Sequence, residues 1–289
     1  MKNLLGIGPA GCQIVQQLNK NKNYQVYQIL PSPKRTTKYR FSLPLLQGPE
    51  EYEDMNMSDL NKWILKIERS CSVFLCGASS STGITLRALE TLHKKGVKMD
   101  IVYVCPEIEV LSESDRLHER SVRNIMQNFS RSGLFENICM VYNPSLEVAA
   151  GPTNVVEYYD QLNNILTSTY YMLDVFKNSK PIMSTFSPRK ESCRISTIGI
   201  GSMNDEDVMF FPFDQEVSIV YYLGINEEKL KNEENLFRTI TDKIKKRISK
   251  DVNVSFGIYP TKYEDDYIYV EYFSPKIQNL PVDTGNEIR

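Results

Sequence analysis

Three glycines define the first chemistry open to this chain. Gly6, Gly8 and Gly11 punctuate the run Gly6-Ile7-Gly8-Pro9-Ala10-Gly11, which follows a short apolar start, Asn3-Leu4-Leu5, and opens onto a helix-like stretch at 12–18. Strand, glycine turn and helix in that order form an anion-binding arrangement. The glycines let the backbone approach a phosphate closely, and the free N–H groups and positive end of the helix attract negative charge. The run satisfies a GxGxxG dinucleotide fingerprint, yet a Rossmann oxidoreductase also wants an acid on the ribose at the end of its second strand. Here that end reads Tyr27-Gln28-Ile29-Leu30, with no Asp or Glu, and no catalytic acid or base is positioned. The oxidoreductase reading is therefore disfavoured.

A second small-residue turn, Gly77-Ala78-Ser79-Ser80-Ser81-Thr82-Gly83, follows an apolar strand at 71–76. It is not a Walker A loop, because no Lys follows its last glycine. One reading is a plain serine-rich connection. The other is a second anion site, with hydroxyls and backbone N–H groups at a helix N-terminus, beside the first if the two strands are neighbours. Two such turns facing one crevice suit a polyphosphate.

Other chemistries find little support. The six cysteines form no CxxC pair and have no His at metal-ligand spacing, so they read as buried thiols of a cytosolic protein. His93 and His118 lie in polar helical surroundings and read as surface residues. The formal net charge is −2, and basic residues are scattered among acids, with the mixed clusters 116–123 and 243–250 expected as solvated helix faces. No direct nucleic-acid binding is expected, and no run is long enough for membrane insertion. The expected setting is cytoplasmic.

These turns must be positioned by an alternating chain. After the first strand, turn and helix come a strand at 24–30, a loop region at 31–48, a helix at 57–69 capped by Ser58, and the strand at 71–76. A helix follows the second turn and stops at Gly96. A strand at 101–105, a helix at 119–129 and a strand at 137–142 complete an α/β, doubly wound parallel sheet. From Gly151 a helix of more than twenty residues is expected to run to about Lys177, long enough to connect two domains. Strands at 194–201, 216–224, 252–259 and 266–273, with one helix at 233–249, predict a smaller mixed-sheet α+β domain. The expected organisation is 1–152, a connecting helix at 153–178, a second domain at 179–274 and a flexible tail at 275–289.

With both turns and the long helix in view, the sequence resembles the tubulin/FtsZ superfamily of GTP-binding, filament-forming proteins. Gly8-Pro9-Ala10-Gly11-Cys12-Gln13-Ile14 is similar to the tubulin loop GQAGxQI, differing at Pro9. Ser79 to Thr85 stands where the family has [SAG]GGTG[ST]G, and Tyr159-Asp160-Gln161-Leu162-Asn163 resembles the tubulin run YGDLN. The resemblance covers nearly the whole chain to Phe273. It implies a guanine nucleotide, GTP or GDP, and admits Mg2+. It further implies that Gly8, Ala10, Gly11, Cys12 and Gln13 line phosphates and base, with Thr82 and Gly83 at the phosphate end. Asn143 would stand on the ribose side, Tyr159 would stack on guanine and Asn163 would bond its edge. Tyr159 and Asn163 are four residues apart and share one helix face. Arg120 falls near a basic nucleotide-contacting position of the family, or is a solvent-facing arginine.

Two departures shape the functional expectation. Only Thr82-Gly83 survives of the signature loop's core, and each added side chain obstructs backbone approach to phosphate. In the family, a loop NxDxxD after the long helix enters the neighbouring subunit's site and completes hydrolysis. Here that stretch is Ile182-Met183-Ser184-Thr185-Phe186-Ser187-Pro188, without a carboxylate to position water or metal. Glu191 comes a few residues late, and Asp205, Glu206 and Asp207 read as a solvated turn. The resemblance thus implies a nucleotide-binding protein that self-associates head to tail into filaments, with hydrolysis weak or absent and an adaptor linking it to cargo. The open alternative is a degenerate relative that keeps the fold as an interaction module without nucleotide.

Overall fold

Short apolar runs separated by amphipathic ones become, in residues 1–144, the strands and crossovers of a parallel sheet. The computed structural model describes residues 1–203 and 206–281, and the chain divides into two units, 1–144 and 145–289. In the first unit β1 (Lys2–Ile7), α1 (Gly8–Leu18), β2 (Tyr24–Pro31), β3 (Arg40–Leu43), α2 (Pro49–Glu53), α3 (Ser58–Ile64), β4 (Ser70–Cys76), α4 (Thr82–Lys94), β5 (Lys98–Cys105), α5 (Glu113–Arg131) and β6 (Asn137–Tyr142) follow one another. The strands lie in the order β3-β2-β1-β4-β5-β6, all parallel. The chain winds one way from β1 to β2 and then returns to place β4 on the other side of β1. The order therefore reverses between β1 and β4, and ligands of open α/β sheets bind at such a switch point, beyond the strands' carboxyl ends.

Burial follows the periods of the elements. Leu4, Leu5, Val73, Phe74, Ile101 and Tyr103 are buried in the strands, and Ile14, Val15 and Leu18 face them from α1. A β-carbon on Gly11 would run into the Phe74 carbonyl oxygen, and one on Gly6 would meet the Gly11 carbonyl oxygen at 2.6 Å. The turn's first and last glycines thus permit close helix–sheet packing.

Several expectations are corrected. The region 31–48, expected as loop, contains β3, whose alternating Phe41 and Leu43 are masked by basic and polar neighbours. It is followed by α2, with Tyr52 buried and bonded to the Pro44 carbonyl. The helix expected at 57–69 stops at Ile64, and its N-cap is Met57 rather than Ser58. The mixed-charge stretch 116–123 is not wholly solvated. Glu119 and Arg123 are fully buried and paired at 3.0 Å, one helical turn apart, and the Glu119 carboxylate also accepts from Tyr103 (3.3 Å) and Cys105 (3.4 Å).

α6 (Asn143–Ala150) carries the chain into the second unit. Gly151, at φ +73°, and Pro152 interrupt the helix expected from 151, so α7 (Tyr158–Lys177) begins seven residues later. Val155 and Val156, expected on its apolar face, lie outside it and are 93% and 94% exposed. Leu162, Leu166, Leu173 and Phe176 form the buried stripe.

Beyond α7 come β7 (Met183–Ser184), β8 (Ile195–Gly201), β9 (Val208–Met209), β10 (Ser218–Asn226), α8 (Glu227–Asn232), α9 (Leu236–Arg247), β11 (Asn253–Thr261) and β12 (Tyr267–Ser274). The strands of this unit run β8-β12-β10-β11-β7, with β9 beside β8. Only β10 and β11 pair in parallel. This is the expected mixed sheet. α9 packs Leu236, Ile240 and Ile244 against Ile219, Tyr221, Phe256 and Ile258. The helix expected at 233–249 is α9, and a short further helix that was not expected, α8, precedes it.

Of the acids read as a solvated turn, Asp205 lies outside the described residues, while Asp207 has a fully buried side chain. Lys243 reaches it at 3.1 Å, Arg247 at 3.4 Å, and the Tyr221 and Tyr272 hydroxyls donate to it. The tail expected to be flexible from 275 is packed through Leu280, which is buried, and Gln278 accepts from the Asp214 N–H at 2.7 Å. Residues 282–289 lie outside the described residues. Among the described residues, no helix is long and apolar enough to cross a membrane.

A buried charge whose partner is removed stays uncompensated. Glu119→Ala should therefore destabilise the protein by about 3–5 kcal/mol in urea titrations. A change within about 1 kcal/mol, the range of an exposed pair, would contradict the assignment.

Candidate functional site

β1 and β4 are hydrogen-bonded neighbours, so the two small-residue turns emerge side by side at the switch point. In the first turn Gly8 takes φ +77°, a left-handed conformation that costs a side-chain-bearing residue about 1–2 kcal/mol. α1 starts there with Pro at its first positions, and no side chain caps its N-terminus. Proline fits that position because its missing N–H would have no helical partner. The helix's free donors and positive end therefore remain available to an anion.

The second turn bends toward the first. Ala78 is itself left-handed at φ +56°, and the Ser79 and Ser81 hydroxyls are bonded to each other at 2.9 Å. A β-carbon on Gly8 would lie 2.7 Å from Ser81 Oγ and 3.2 Å from Ser79 Oγ. Glycine of one turn thus faces hydroxyls of the other. α4 begins at Thr82, whose hydroxyl donates to the Ser79 carbonyl and contacts His118 Nε2 at 2.8 Å.

Beneath this turn the Gly77 N–H donates to the Val104 carbonyl at 2.9 Å, and a β-carbon there would press on the Tyr103 hydroxyl and Glu119. The Glu119–Arg123 pair is therefore the floor of the second turn. Burial first, then the nearby Glu119 charge, pushes the Cys76 thiol up to about 12.

The residues singled out from sequence fall into three groups. Gly8, half-buried Ala10, Gly11 and Cys12 form the start of α1, with Gln13 exposed just beyond. The Cys12 side chain turns inward, however, donating to the Gly6 carbonyl at 3.2 Å and the Ile29 carbonyl at 3.5 Å, and burial pushes its thiol up to about 12. Thr82 and Gly83 open α4, and Gly83 is needed where the Pro49 carbonyl of α2 presses on it. Arg120, half-buried, follows His118 by two residues on α5.

Asn143 is half-buried at the end of β6, three strands from β1, roughly 14 Å along the sheet at ordinary strand spacing. Tyr159 and Asn163 belong to the second unit, on the first turns of α7. Tyr159 is 64% exposed with its ring edge-on to Tyr158, and Asn163 is half-buried.

His118 corrects the expectation of a surface histidine. Its signal lay in the spacing His118, Val122, Met126, an i, i+4, i+8 stripe whose other two members are buried. Gln28, at the ribose-acid position of a dinucleotide fold, donates to the Cys12 carbonyl at 3.1 Å and to Gln16 at 3.3 Å. It clamps α1 to β2.

Among the described residues no three His, Cys, Asp or Glu side chains gather as a metal site. The side-chain oxygens at the turns are hydroxyls, and the nearby carboxylate of Glu119 is engaged by Arg123. This donor set does not fit a Mg2+ held by protein carboxylates.

No protein-family model matches the sequence, and no curated protein matches it. The fold, by contrast, is tubulin/FtsZ-like. An empty FtsZ dimer of M. jannaschii matches with TM-score 0.67 over 94% of this chain and 88% of that one, at 10% identity. A GTPγS-form protofilament of Bacillus thuringiensis serovar israelensis TubZ matches with TM-score 0.70 over 93% and 86%, at 11% identity. A GTPγS-bound protofilament of CetZ2 from Haloferax volcanii gives 0.68 over 94% and 92%, at 12% identity.

The position of Cys12 is directly testable. Its raised pKa means that the folded protein holds the thiol neutral where an ordinary thiol, at 9.0, has begun to ionise. At about pH 8, iodoacetamide should leave Cys12 unmodified in native protein and alkylate it in urea, as read by peptide mass spectrometry. Rapid native labelling would place the thiol at the surface of the turn.

Proposed function

We propose that this chain is a tubulin/FtsZ-like cytoskeletal protein of the cytoplasm that binds a guanine nucleotide and assembles head to tail, with little or no hydrolysis. The observation that carries this reading is the convergence of left-handed Gly8 and the uncapped start of α1 with the hydroxyls of Ser79 and Ser81 at the switch point. Backbone donors at Gly8, Ala10, Gly11 and Cys12 would take phosphate oxygens, and Thr82 and its neighbours would close the phosphate end. Asn143 serves the ribose, while Tyr159 and Asn163 serve the base. Arg120 would contribute charge.

Assembly is inferred by analogy with the FtsZ, TubZ and CetZ2 structures, several of which are protofilaments or filaments. A heterologous head-to-tail contact does not close and therefore propagates. Cargo would be engaged through an adaptor. The absence of turnover is inferred from the segment after α7. In place of a loop bearing acids it is an edge strand, with Met183 and Ser184 paired to Ile258 and Gly257, and Thr185 bonded to Phe256 through backbone and hydroxyl. Glu191 is exposed, and Asp207 is consumed by its own buried network.

A second reading has its own observation. The Ser79–Ser81 pair already lies against Gly8, and Thr82 is occupied by Ser79 and His118, as in a turn that has closed on itself. On that reading the chain is an interaction module without nucleotide. Titration of the purified protein with labelled GTP separates the two. Saturable binding is expected, and its absence at millimolar nucleotide would establish the second reading.

If Asn163 bonds the guanine edge, Asn163→Ala should lower the GTP-over-ATP preference about tenfold to a hundredfold, the loss of one hydrogen bond that leaves a partner unpaired. An unchanged preference would remove α7 from base recognition. Electron microscopy with GTP should show filaments, with phosphate release at background in the same samples. Turnover that Glu191→Gln abolishes would show that a displaced acid performs the reaction.

A further inference from the structure

At the β3 edge of the first unit, basic and aromatic residues form a continuous surface. A groove of about 520 Å3 is lined by Thr36, Phe41, Ser42, Lys62, Trp63 and Lys66, with Asp59 its one carboxylate. Trp63 is the chain's sole tryptophan. Its ring packs against Phe41 (5.8 Å between centroids) and Tyr27 (5.9 Å), and Tyr27 packs on Tyr39 (5.8 Å). Cations close both ends of this row, Lys66 over Trp63 at 5.8 Å and Lys38 over Tyr39 at 4.9 Å.

The loop bearing Lys34, Arg35 and Lys38 is pinned to the same place, because the Trp63 indole N–H donates to the Thr37 carbonyl at 2.8 Å. Among the described residues, none of Lys34, Arg35, Lys38, Arg40, Lys62 and Lys66 forms an ion pair. The expectation that basic residues are dispersed among acids fails here, since segments distant in sequence bring one sign together. Two atoms of the edge are also buried without a partner, Ser42 Oγ and Arg40 Nε.

The strand's backbone is not what this surface offers. Thr37 and Thr36 bond the Arg40 N–H and carbonyl and the Ser42 N–H, which caps the edge against strand addition. What remains is a groove floored by Phe41 and Trp63 and rimmed by cations that form no ion pair among the described residues. We propose that this face docks an acidic segment of a partner protein, with an aromatic or aliphatic side chain laid in the groove against half-buried Phe41 and carboxylates on Lys62, Lys66 and the 34–38 loop. A protein segment fits better than nucleic acid. Tyr27 and Trp63 are buried and offer no open platform for base stacking, and the chain's net charge of −2 repels a polyanion at long range.

The experiment uses the full chain and Trp63 emission. The probes are a short peptide repeating Glu-Glu-Phe, the same peptide with Lys for Glu, and single-stranded oligothymidine. A saturable emission change is expected with the acidic peptide alone. The affinity should fall about tenfold or more in Lys62→Glu/Lys66→Glu, and in Lys34→Glu/Arg35→Glu if the first variant loses its native circular dichroism. The affinity should also weaken with salt. No saturable response to the acidic peptide, an equal response to the basic one, tighter binding of the oligonucleotide, or indifference to charge reversal in folded protein would each overturn the proposal.

Discussion

The first unit depends on how closely α1 can lie on its sheet. With no β-carbon at Gly6 or Gly11, the helix backbone rests directly against β1 and β4, in contact with the Phe74 carbonyl. A side chain at either place would lift the helix, moving its N-terminal donors away from the mouth of the switch point. The same contact directs the Cys12 thiol inward onto the Gly6 and Ile29 carbonyls and brings the Cys12 carbonyl within reach of Gln28. Only Gly8, the middle glycine, is required for its left-handed backbone. The motif's glycines therefore serve two different needs, and the proposed anion site depends on packing as much as on turn geometry.

The second turn is held from below rather than by its own glycines. Ala78 occupies a conformation that favours glycine, and such strain persists only when the surroundings fix it. The surroundings here are the Gly77 bond to Val104 and the buried group of Tyr103, Cys105, Glu119 and Arg123. Burying that ion pair is costly unless its hydrogen bonds are satisfied, and several are supplied by the strand that flanks the turn. The floor thus supplies rigidity that the serine-rich turn lacks by itself. The hydroxyls then meet Gly8 in place of open backbone.

How much of this could be read in advance followed from the range of each signal. Strand, turn and helix alternation around Gly6–Gly11 and Gly77–Gly83 is local and periodic, so the parallel sheet and its two adjacent turns were legible, as was the mixed sheet of the second unit. β3 was not, because four residues with two apolar positions carry too little pattern beside four cations. The start of α7 was misplaced because Val155 and Val156 continue its apolar spacing by coincidence, while Gly151 and Pro152 break the backbone. His118, Asp207 and the Glu119–Arg123 pair were read as solvent-facing because a charged side chain shows its partner only when the chain folds. The same blindness concealed the basic edge around Trp63, whose cations come from 34–40 and 62–66.

The contrast between the ends of α7 bears on function most directly. Before the helix the chain turns sharply and leaves Val155 and Val156 in solvent, with Tyr159 and Asn163 on the first turns. After it, the segment that the resemblance would make catalytic is stitched to β11, and Phe186 covers Gly257, which has no β-carbon to obstruct the ring. An acid placed there by substitution would still have to leave a hydrogen-bonded strand to act elsewhere, since Met183, Thr185 and Phe186 are held by Ile258, Phe256 and Tyr222. The proposed lack of hydrolysis therefore rests on the backbone pairing of this segment as well as on its missing carboxylates. An acid introduced at this segment would lie on a paired strand rather than on a free loop.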